Sequence, residues 1–335
     1  MKIGVIGYGY WGPNVLRNMI AHTDAHVSVV ADQNMERLAV LKKTYPAIQT
    51  TTDALDIINS KDIDAIVIAT PVHTHHPLAR AALLAGKHVL VEKPLAGSLQ
   101  DAEDLVALAE EKHRVLMVDH TFLYTGAVQT IKKLIDSGEI GKIQSFNSTR
   151  FNLGLFQSDI NVLWDLAPHD LSILLYLVGR MPTFVNAIGA SHTGNAIENI
   201  GYLTMRYDDG MIAHVSVSWV SPVKIRQTLI TGDKKMIVYD DTEPTEKVRV
   251  YETGYTVRND EEKRRLYTDY RSGDIHIPKT STKEALQGVV EDFVRAIQKG
   301  TQPLSDARFG LNVVRILDAA ERSLKTGGAE VRFAS

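Results

Sequence analysis

The segment KIGVIGYGYWG, residues 2–12, joins a short apolar run to three glycines in a fixed spacing. Gly7, Gly9 and Gly12 follow the pattern G-x-G-x-x-G, and Asp32 ends the next apolar run, 20 residues after Gly12. At a strand–helix junction such glycines permit a tight turn and a close approach of the backbone to a pyrophosphate, which the helix N-terminus attracts. The segment therefore predicts a dinucleotide-binding turn. The alternative is a plain glycine-rich turn with a solvent-facing Asp32.

Asp32 also bears on the choice of cofactor. A carboxylate at this position accepts hydrogen bonds from the ribose hydroxyls and repels a 2′-phosphate. We therefore expect NAD to be preferred, although the nearby Arg37 leaves NADP possible.

The first third of the chain alternates short apolar runs with amphipathic segments. The runs are rich in Val and Ile, as in HVSVVAD (26–32), DAIVIAT (64–70), KHVLVEK (87–93) and RVLMVD (114–119). Helical patterns separate them, and strands that are apolar on both faces are typical of a parallel sheet covered on both sides. Residues 1–121 are therefore predicted to form an α/β domain of the Rossmann type, with a doubly wound parallel sheet.

The pattern changes after residue 121. The stretch YLTMRYDDGMIAHVSVSW (202–219) alternates with period two around Asp-Asp-Gly, and RQTLITGDKKMIVYD (226–240) does so around Gly-Asp, as β-hairpins do. A polar stretch with the charged run DEEKRR (260–265) precedes two closing helical patterns. Residues 122–335 are predicted to form an α+β domain with a large, open-faced, mostly antiparallel sheet.

The composition narrows the function classes. The chain has 335 residues, no cysteine and a formal net charge of −3, so disulfides and thiolate metal sites are excluded, and nothing attracts it to nucleic acid or to an anionic membrane. The run HTHH (73–76) lacks the spaced partners of a metal site, so no metal is predicted. No apolar run is long enough for a membrane span or for a signal peptide. A cytoplasmic location is therefore expected.

Three ionisable residues interrupt the apolar segment NVLWDLAPHDLSILLYL, residues 161–177. Buried ionisable groups are costly unless they are paired or used. Asp165 and His169 are four residues apart and share a helix face, so His169 is a candidate general base whose ring Asp165 would orient. Pro168 suits a first turn, so the helix is predicted to begin near Asp165. Asp170 points elsewhere and is interpreted as structural, either capping a neighbouring element or pairing with a base such as Arg150.

Three motifs together resemble the Gfo/Idh/MocA family, the glucose–fructose oxidoreductase and inositol dehydrogenase group. They are ATPVHTH (69–75), EKP (92–94) and DLAPH (165–169), taken with the glycine turn. The resemblance implies NAD(P)-dependent oxidation of sugars, cyclitols or nucleotide sugars. It also implies that Lys93 is the catalytic lysine, beside Asp165 and His169.

The predicted site follows from the turn and from this resemblance. The predicted cofactor contacts are Gly7, Gly9, Tyr10, Trp11, Gly12, Asp32, Thr70, Pro71, His75, Glu92 and Lys93. The predicted substrate contacts are Lys93, Tyr124, Arg150, Asn152 and His169. The alternatives are that Asp165 only caps a helix, that His169 is a core histidine, and that Arg150 and Asn152 are surface residues of a strand.

The resemblance is closest to the bacterial nucleotide-sugar branch, similar to UDP-N-acetylglucosamine or UDP-N-acetylglucosaminuronate 3-dehydrogenases. The expected substrate is then the C3 hydroxyl of such a sugar. A dehydrogenase of free cyclitols or monosaccharides is the alternative, and a non-catalytic dinucleotide-binding regulator is a third possibility. By the same resemblance, the sheet of the second domain is expected to form a homodimer or homotetramer interface.

Overall fold

The chain divides into two compact units. The computed structural model describes residues 1–154, 156–157, 159–194, 196–256 and 269–333. The first unit comprises Met1–Tyr124 together with Lys283–Asp318, and the second comprises Thr125–Thr282 together with Ala319–Ser335. The charged run 260–265 lies outside the described residues.

The first unit contains a six-stranded parallel sheet. Its strands are β1 (Lys2–Ile6), β2 (His26–Ala31), β3 (Gln49–Thr51), β4 (Ala65–Ile68), β5 (His88–Glu92) and β6 (Leu116–Asp119). Its helices up to Tyr124 are α1 (Gly12–Ala21), α2 (Met35–Thr44), α3 (Ala54–Ile58), α4 (His75–Leu84) and α5 (Leu99–Glu111). The strand order β3-β2-β1-β4-β5-β6 confirms the predicted doubly wound fold. The three-residue β3 was missed because so short a strand carries no periodicity.

The second unit is built on a nine-stranded mixed sheet, within the described residues. It begins with α6 (Gly126–Asp136), β7 (Ile143–Leu153) and α7 (Val162–Val178). Next come β8 (Phe184–Ala190), β9 (Ile200–Arg206), β10 (Ile212–Ser218), β11 (Val220–Gly232), β12 (Met236–Asp240) and β13 (Val248–Tyr251). The remaining strands are β14 (Gly254–Thr256), β15 (Asp269–Arg271), β16 (Ile275–His276) and β17 (Val331–Arg332).

The pairing of these strands confirms the mostly antiparallel prediction. The order is β16-β13-β12-β11-β7-β10-β9-β8-β17, with β14 and β15 in a separate ribbon. Only the central β7–β10 pair is parallel among the described ladders of the nine-stranded sheet. Both predicted hairpins are present, β9–β10 and β11–β12.

The two closing helices are α8 (Ala285–Lys299) and α9 (Ala307–Lys325), and their assignment differs from the predicted division at residue 121. The helix α8 belongs to the first unit, where it packs against α1, and the boundary between the units falls inside α9. Local sequence patterns report a helix and its apolar face, not the sheet on which that face packs. In the described part of the chain, no helix combines the length and apolar character needed to cross a membrane.

Candidate functional site

The glycine turn has the shape of a phosphate cradle. Gly7 has φ +101°, and a Cβ there would lie 2.4 Å from the Ala69 carbonyl oxygen, so only glycine fits. A Cβ on Gly12 would lie 2.4 Å from the carbonyl oxygen of Gly7, which fixes α1 tightly against the turn. A Cβ on Gly9 would meet only Arg37 Nη1, at 3.6 Å, among the described residues, so this side of the backbone is open. The turn therefore fits a dinucleotide pyrophosphate at the N-terminus of α1.

Asp32 lies at the carboxyl end of β2, beside the same turn. Its Oδ2 accepts a hydrogen bond from the Tyr8 N–H at 2.6 Å, and its Oδ1 accepts one from the Asn34 N–H at 2.8 Å. Arg37 Nη1 lies 3.7 Å from Oδ2, and the Asp32 side chain is only 8% exposed. The alternative of a solvent-facing Asp32 does not fit this placement. Arg37, half-exposed, offers a positive charge at the same point.

The loops after β4 and β5 are joined by His75. Its Nδ1 lies 2.8 Å from the Pro94 carbonyl oxygen, its Nε2 lies 2.9 Å from the Thr70 carbonyl oxygen, and the residue is 1% exposed. Burial lowers the pKa of this imidazole. The predicted cofactor contact of His75 is therefore corrected: the ring connects the two loops that carry Thr70 and Lys93. The Thr70 hydroxyl lies 2.6 Å from the Thr74 hydroxyl, and Pro71 is exposed.

Glu92 and Lys93 stand at the carboxyl end of β5. The Lys93–Pro94 bond is cis. Glu92 Oε2 accepts a hydrogen bond from the Lys93 N–H at 3.3 Å. Burial, followed by the charge of Asp119, raises the pKa of Glu92 well above its usual range. The predicted cofactor contact of Glu92 stays a prediction. Within the protein, Glu92 is paired with Asp119 in the register of β5 and β6.

Two aromatic residues of the glycine turn differ in their surroundings. Tyr10 is 88% exposed, so its ring is available to a ligand. The Trp11 indole instead stabilises the ionised form of the Asp119 carboxyl group, at the end of β6, and so acts to lower its pKa. Trp11 therefore ties the turn to the strand next to β5.

The helix α7 begins earlier than predicted. Asn161 is its N-cap, and the Asn161 side-chain oxygen accepts hydrogen bonds from the N–H groups of Leu163 and Trp164. Pro168 therefore lies inside the helix rather than in its first turn. The predicted start near Asp165 was wrong, because Asn161 is a strong capping residue and Pro168 is accommodated inside the helix.

Asp165 and His169 both lie on α7, half-buried and one helical turn apart. Asp165 Oδ2 accepts a hydrogen bond from the Trp219 indole Nε1 at 2.9 Å. Trp219 is 1% exposed, and Phe156 packs against it edge-on with ring centroids 5.8 Å apart. The carboxylate of Asp165 is thus fixed by a rigid donor, while its predicted role toward the His169 ring stays a prediction.

The substrate role predicted for Arg150 is corrected by its surroundings. Arg150, on β7, is 4% exposed and donates from Nε and Nη2 to the two carboxylate oxygens of Asp170, at 2.7 and 3.1 Å. Ser148 Oγ donates to the same carboxylate at 2.7 Å. The pairing of Asp170 with Arg150 is as interpreted from the sequence. Because the guanidinium is already used there, direct binding of a phosphate by Arg150 does not fit.

The hydroxyl of Tyr124 has partners within the first unit. Its hydroxyl donates to Asp292 Oδ2, on α8, at 2.7 Å and lies 3.3 Å from the Ser305 hydroxyl. Burial, with Asp292 beside it, raises the pKa of Tyr124. The predicted substrate contact of Tyr124 stays a prediction. Asn152 is half-buried near the end of β7, and its substrate contact stays a prediction.

Two residues of the site were missed in the sequence analysis, Asp119 and Trp219. Asp119 ends β6 as Glu92 ends β5, and an acidic residue at the carboxyl end of a parallel strand is a readable signal. Trp219 carries no comparable signal, because its partner Asp165 is 54 residues away. Among the described residues, no group of three or more His, Asp or Glu side chains is arranged to hold a metal ion.

Two family models match the chain. A model described as an oxidoreductase family with an NAD-binding Rossmann fold matches residues 1–120, and the GFO/IDH/MocA C-terminal domain model matches residues 128–238. A crystal structure of a putative oxidoreductase from Magnetospirillum magnetotacticum superposes with a TM-score of 0.82 at 28% identity, covering 96% of this chain and 99% of that one.

The curated relatives differ in their sequence identity to this chain and in the length over which they align with it. The uncharacterized oxidoreductase YdgJ of Escherichia coli is 34% identical over 191 residues, which is 53% of this chain and about half, 54%, of its own length. The UDP-N-acetylglucosamine 3-dehydrogenase of Acidithiobacillus ferrooxidans is 28% identical over 94% of both chains. Others are named for different substrates, among them levoglucosan and scyllo-inositol. The two models together span more than half of the chain, which therefore belongs to the Gfo/Idh/MocA family of oxidoreductases with an NAD-binding Rossmann fold.

Proposed function

We propose that the protein transfers hydride between NAD and a secondary alcohol of a sugar. The observation that carries this proposal is the fit of the first unit to the cofactor, in the glycine turn and in the placement of Asp32 at the end of β2. Membership of a family of oxidoreductases supports the reaction class. The presence of both Lys93 and His169 argues against a non-catalytic regulator that merely shares the scaffold.

The roles of the side chains follow from the needs of the reaction. The bound nicotinamide supplies the hydride acceptor. Lys93 donates a hydrogen bond to the substrate oxygen and stabilises its alkoxide character, and His169 takes the hydroxyl proton. Asp165 orients the His169 imidazole, and Trp219 in turn holds the Asp165 carboxylate at 2.9 Å. In the reverse direction the imidazolium returns the proton.

The finer proposal is that the substrate is a UDP-N-acetylhexosamine or its uronate, oxidised at C3. Its support is the relative from A. ferrooxidans, which aligns over 94% of both chains. One observation favours the second candidate, a dehydrogenase of free cyclitols or monosaccharides. Arg150, the predicted substrate contact whose guanidinium would suit a nucleotide phosphate, is buried and paired with Asp170.

A substrate panel separates these two candidates. The purified protein is mixed with NAD and, in turn, with UDP-N-acetylglucosamine, UDP-N-acetylglucosaminuronate, free N-acetylglucosamine, glucose and inositols, and NADH formation is followed by absorbance. We expect turnover with the UDP-sugars. Turnover confined to free polyols would replace the first candidate with the second, and no turnover with any of them would contradict the proposal.

Substitution tests the proposed roles. We expect Lys93→Met and His169→Asn each to lower kcat by about 10²-fold or more, while the dissociation constant of NADH changes little. The control is His26→Asn, an exposed residue outside the site, which should retain turnover. Near-normal kcat in either site variant would refute the role of that residue.

We also propose that the protein is a homodimer or homotetramer formed through the sheet of the second unit. Ile188, Tyr202 and Ile212 lie on the neighbouring strands β8, β9 and β10, and each is 40–55% exposed. Apolar side chains grouped in this way gain from being covered. Sedimentation should report an oligomer that Tyr202→Glu dissociates, whereas a monomeric wild-type protein would refute the proposal.

A further inference from the structure

Two acidic side chains meet at the carboxyl edge of the parallel sheet. Glu92 ends β5 and Asp119 ends β6, and the two residues are direct partners in the register of these adjacent strands. Side chains at paired positions of neighbouring parallel strands point to the same face. The charge of Asp119 contributes to raising the pKa of Glu92, and Asp119 is 3% exposed.

The oxygen atoms of this pair show where a proton is required. Glu92 Oε1 and Asp119 Oδ2 are both buried, and no donor from the described residues reaches either of them. A carboxylate oxygen accepts but cannot donate, so two ionised groups here would repel each other and leave both oxygens unsatisfied. One proton between the two groups satisfies both oxygens.

The donors around the pair decide which residue carries that proton. Asp119 Oδ1 accepts from the Thr121 hydroxyl at 2.5 Å, and the Trp11 indole interacts with the same carboxylate. Glu92 receives only the Lys93 N–H, at 3.3 Å, among the hydrogen bonds of the described residues. Donors stabilise the ionised form, so the better-supplied Asp119 is the carboxylate and Glu92 is the acid.

We propose that Glu92 and Asp119 share one proton at neutral pH, with Glu92 donating to Asp119, and that this pair positions Lys93. Burial raises the pKa of both groups, of Glu92 well above its usual range, in accord with this arrangement. The titratable groups near the pair include Lys93 and Tyr124, and the buried His120 follows Asp119 directly in the chain.

The consequence for Lys93 rests on the proposed function. An ionised Glu92 would attract the ammonium group of the adjacent Lys93 and compete with a substrate oxygen for it. A neutral Glu92 leaves one negative charge, on Asp119, and keeps the backbone of Lys93 held through the Glu92 Oε2 contact. Glu92 and Asp119 are thus positioning residues, while Lys93 contacts the substrate.

The proton is tested on the complete chain without substrate. Infrared spectra at neutral pH should contain a carbonyl stretching band of a protonated carboxylic acid, which Glu92→Gln removes. In Asp119→Asn the amide donates to Glu92, so the band should titrate away at lower pH than in the wild type. Asp292→Asn is the matched control, because Asp292 is buried but accepts from Tyr124 and the Leu304 N–H, and the band should persist.

A second measurement needs no variant. In the wild-type protein with ¹³C-labelled glutamate side chains, one carboxyl carbon should titrate well above the others. The absence of both the band and this carbon would overturn the shared proton. A band that survives in both Glu92→Gln and Asp119→Asn would also overturn it.

The positioning role has its own readout. At neutral pH we expect Asp119→Asn to lose about tenfold more kcat/KM than Glu92→Gln, a ratio equal to one pKa unit of differential interaction. The reason is that an ionised Glu92 then pairs with Lys93, whereas glutamine cannot. Equal losses would refute the positioning role. A protein with the infrared band but no sugar turnover would refute the proposed function and leave the shared proton standing.

Discussion

At the residue scale, Asp32 combines two tasks. Its carboxylate oxygens accept hydrogen bonds from the N–H groups of Tyr8 and Asn34, which shapes the turn. We propose that the same charge also faces the ribose of the cofactor. Arg37 at 3.7 Å partly offsets that charge. Preference for NAD is therefore a balance between a carboxylate that repels a 2′-phosphate and a guanidinium that attracts it.

The balance can be measured by substitution. Asp32→Ala should lower the ratio of kcat/KM with NAD to that with NADP by about tenfold or more, equal to about 1.4 kcal/mol. Arg37→Ala should move the ratio in the opposite direction, because only the attraction for the 2′-phosphate is lost. An unchanged ratio in Asp32→Ala would contradict the role of the carboxylate in cofactor choice.

The burial of His120 should make the free energy of unfolding depend on pH. His120 is fully buried after β6, neither ring nitrogen has a hydrogen-bond partner among the described residues, and burial lowers its pKa to about 3. Between pH 6.5 and 3 only the unfolded chain binds this proton, so the free energy of unfolding falls as the pH falls through that range. The loss is on the order of 4 kcal/mol by pH 3.

Urea unfolding at several pH values tests this effect. His120→Leu should show a weaker acid dependence than the wild type, because the proton uptake on unfolding is removed. His26→Asn, at an exposed position, should leave the dependence unchanged. If His120→Leu and the wild type lost stability in parallel, another group would be responsible for the acid loss.

At the scale of elements, the Arg150–Asp170 pair joins β7 to α7, the helix that carries Asp165 and His169. Arg150→Met leaves the Asp170 charge buried without its main partner, so we expect the free energy of unfolding to fall by about 3–5 kcal/mol. The double variant Arg150→Met/Asp170→Leu should recover most of the loss, since Ser148 can still pair with the Thr228 hydroxyl at 3.0 Å. Chemical denaturation measures both.

The double variant also distinguishes this role from substrate binding. If Arg150 served a substrate phosphate rather than the fold, Arg150→Met would leave stability nearly intact and raise KM for UDP-sugars. Recovery of stability with retained substrate affinity in the double variant is the result that fits the structure.

At the scale of the whole molecule, the sequence predicts what is local and misses what is distant. The parallel sheet, both hairpins and the glycine turn follow from periodicity and short motifs, so they could be predicted. The contact of Tyr124 with Asp292 was missed because these residues are 168 positions apart. The pairing of Arg150 with Asp170, 20 positions apart, was anticipated, although Arg150 was also assigned to substrate. The attachment of α8 to the first unit was missed because it also joins residues that are distant in the chain.

That attachment supplies much of the core beneath the cofactor turn. Five side chains of α8 are at most 4% exposed in the core that also contains β1: Leu286, Val289, Val290, Phe293 and Val294. Glu284, just before α8, accepts from both Arg17 and Asn18 of α1. At about 1.5–3 kcal/mol for each buried side chain, these five contribute about 7–15 kcal/mol, as much as the net stability of a typical domain.

Residues 1–124 alone should therefore not fold cooperatively, although they contain the entire predicted Rossmann domain. The fragment that joins residues 1–124 to residues 283–318 through a flexible Gly/Ser linker should fold and bind NADH, because it restores the α8 side chains to the core. Circular dichroism during urea unfolding and NADH fluorescence measure the two properties. As a matched control, Phe293→Ala in the joined fragment should lower the free energy of unfolding by about 3–5 kcal/mol. Cooperative unfolding and NADH binding by residues 1–124 alone would contradict the assignment of α8 to this core.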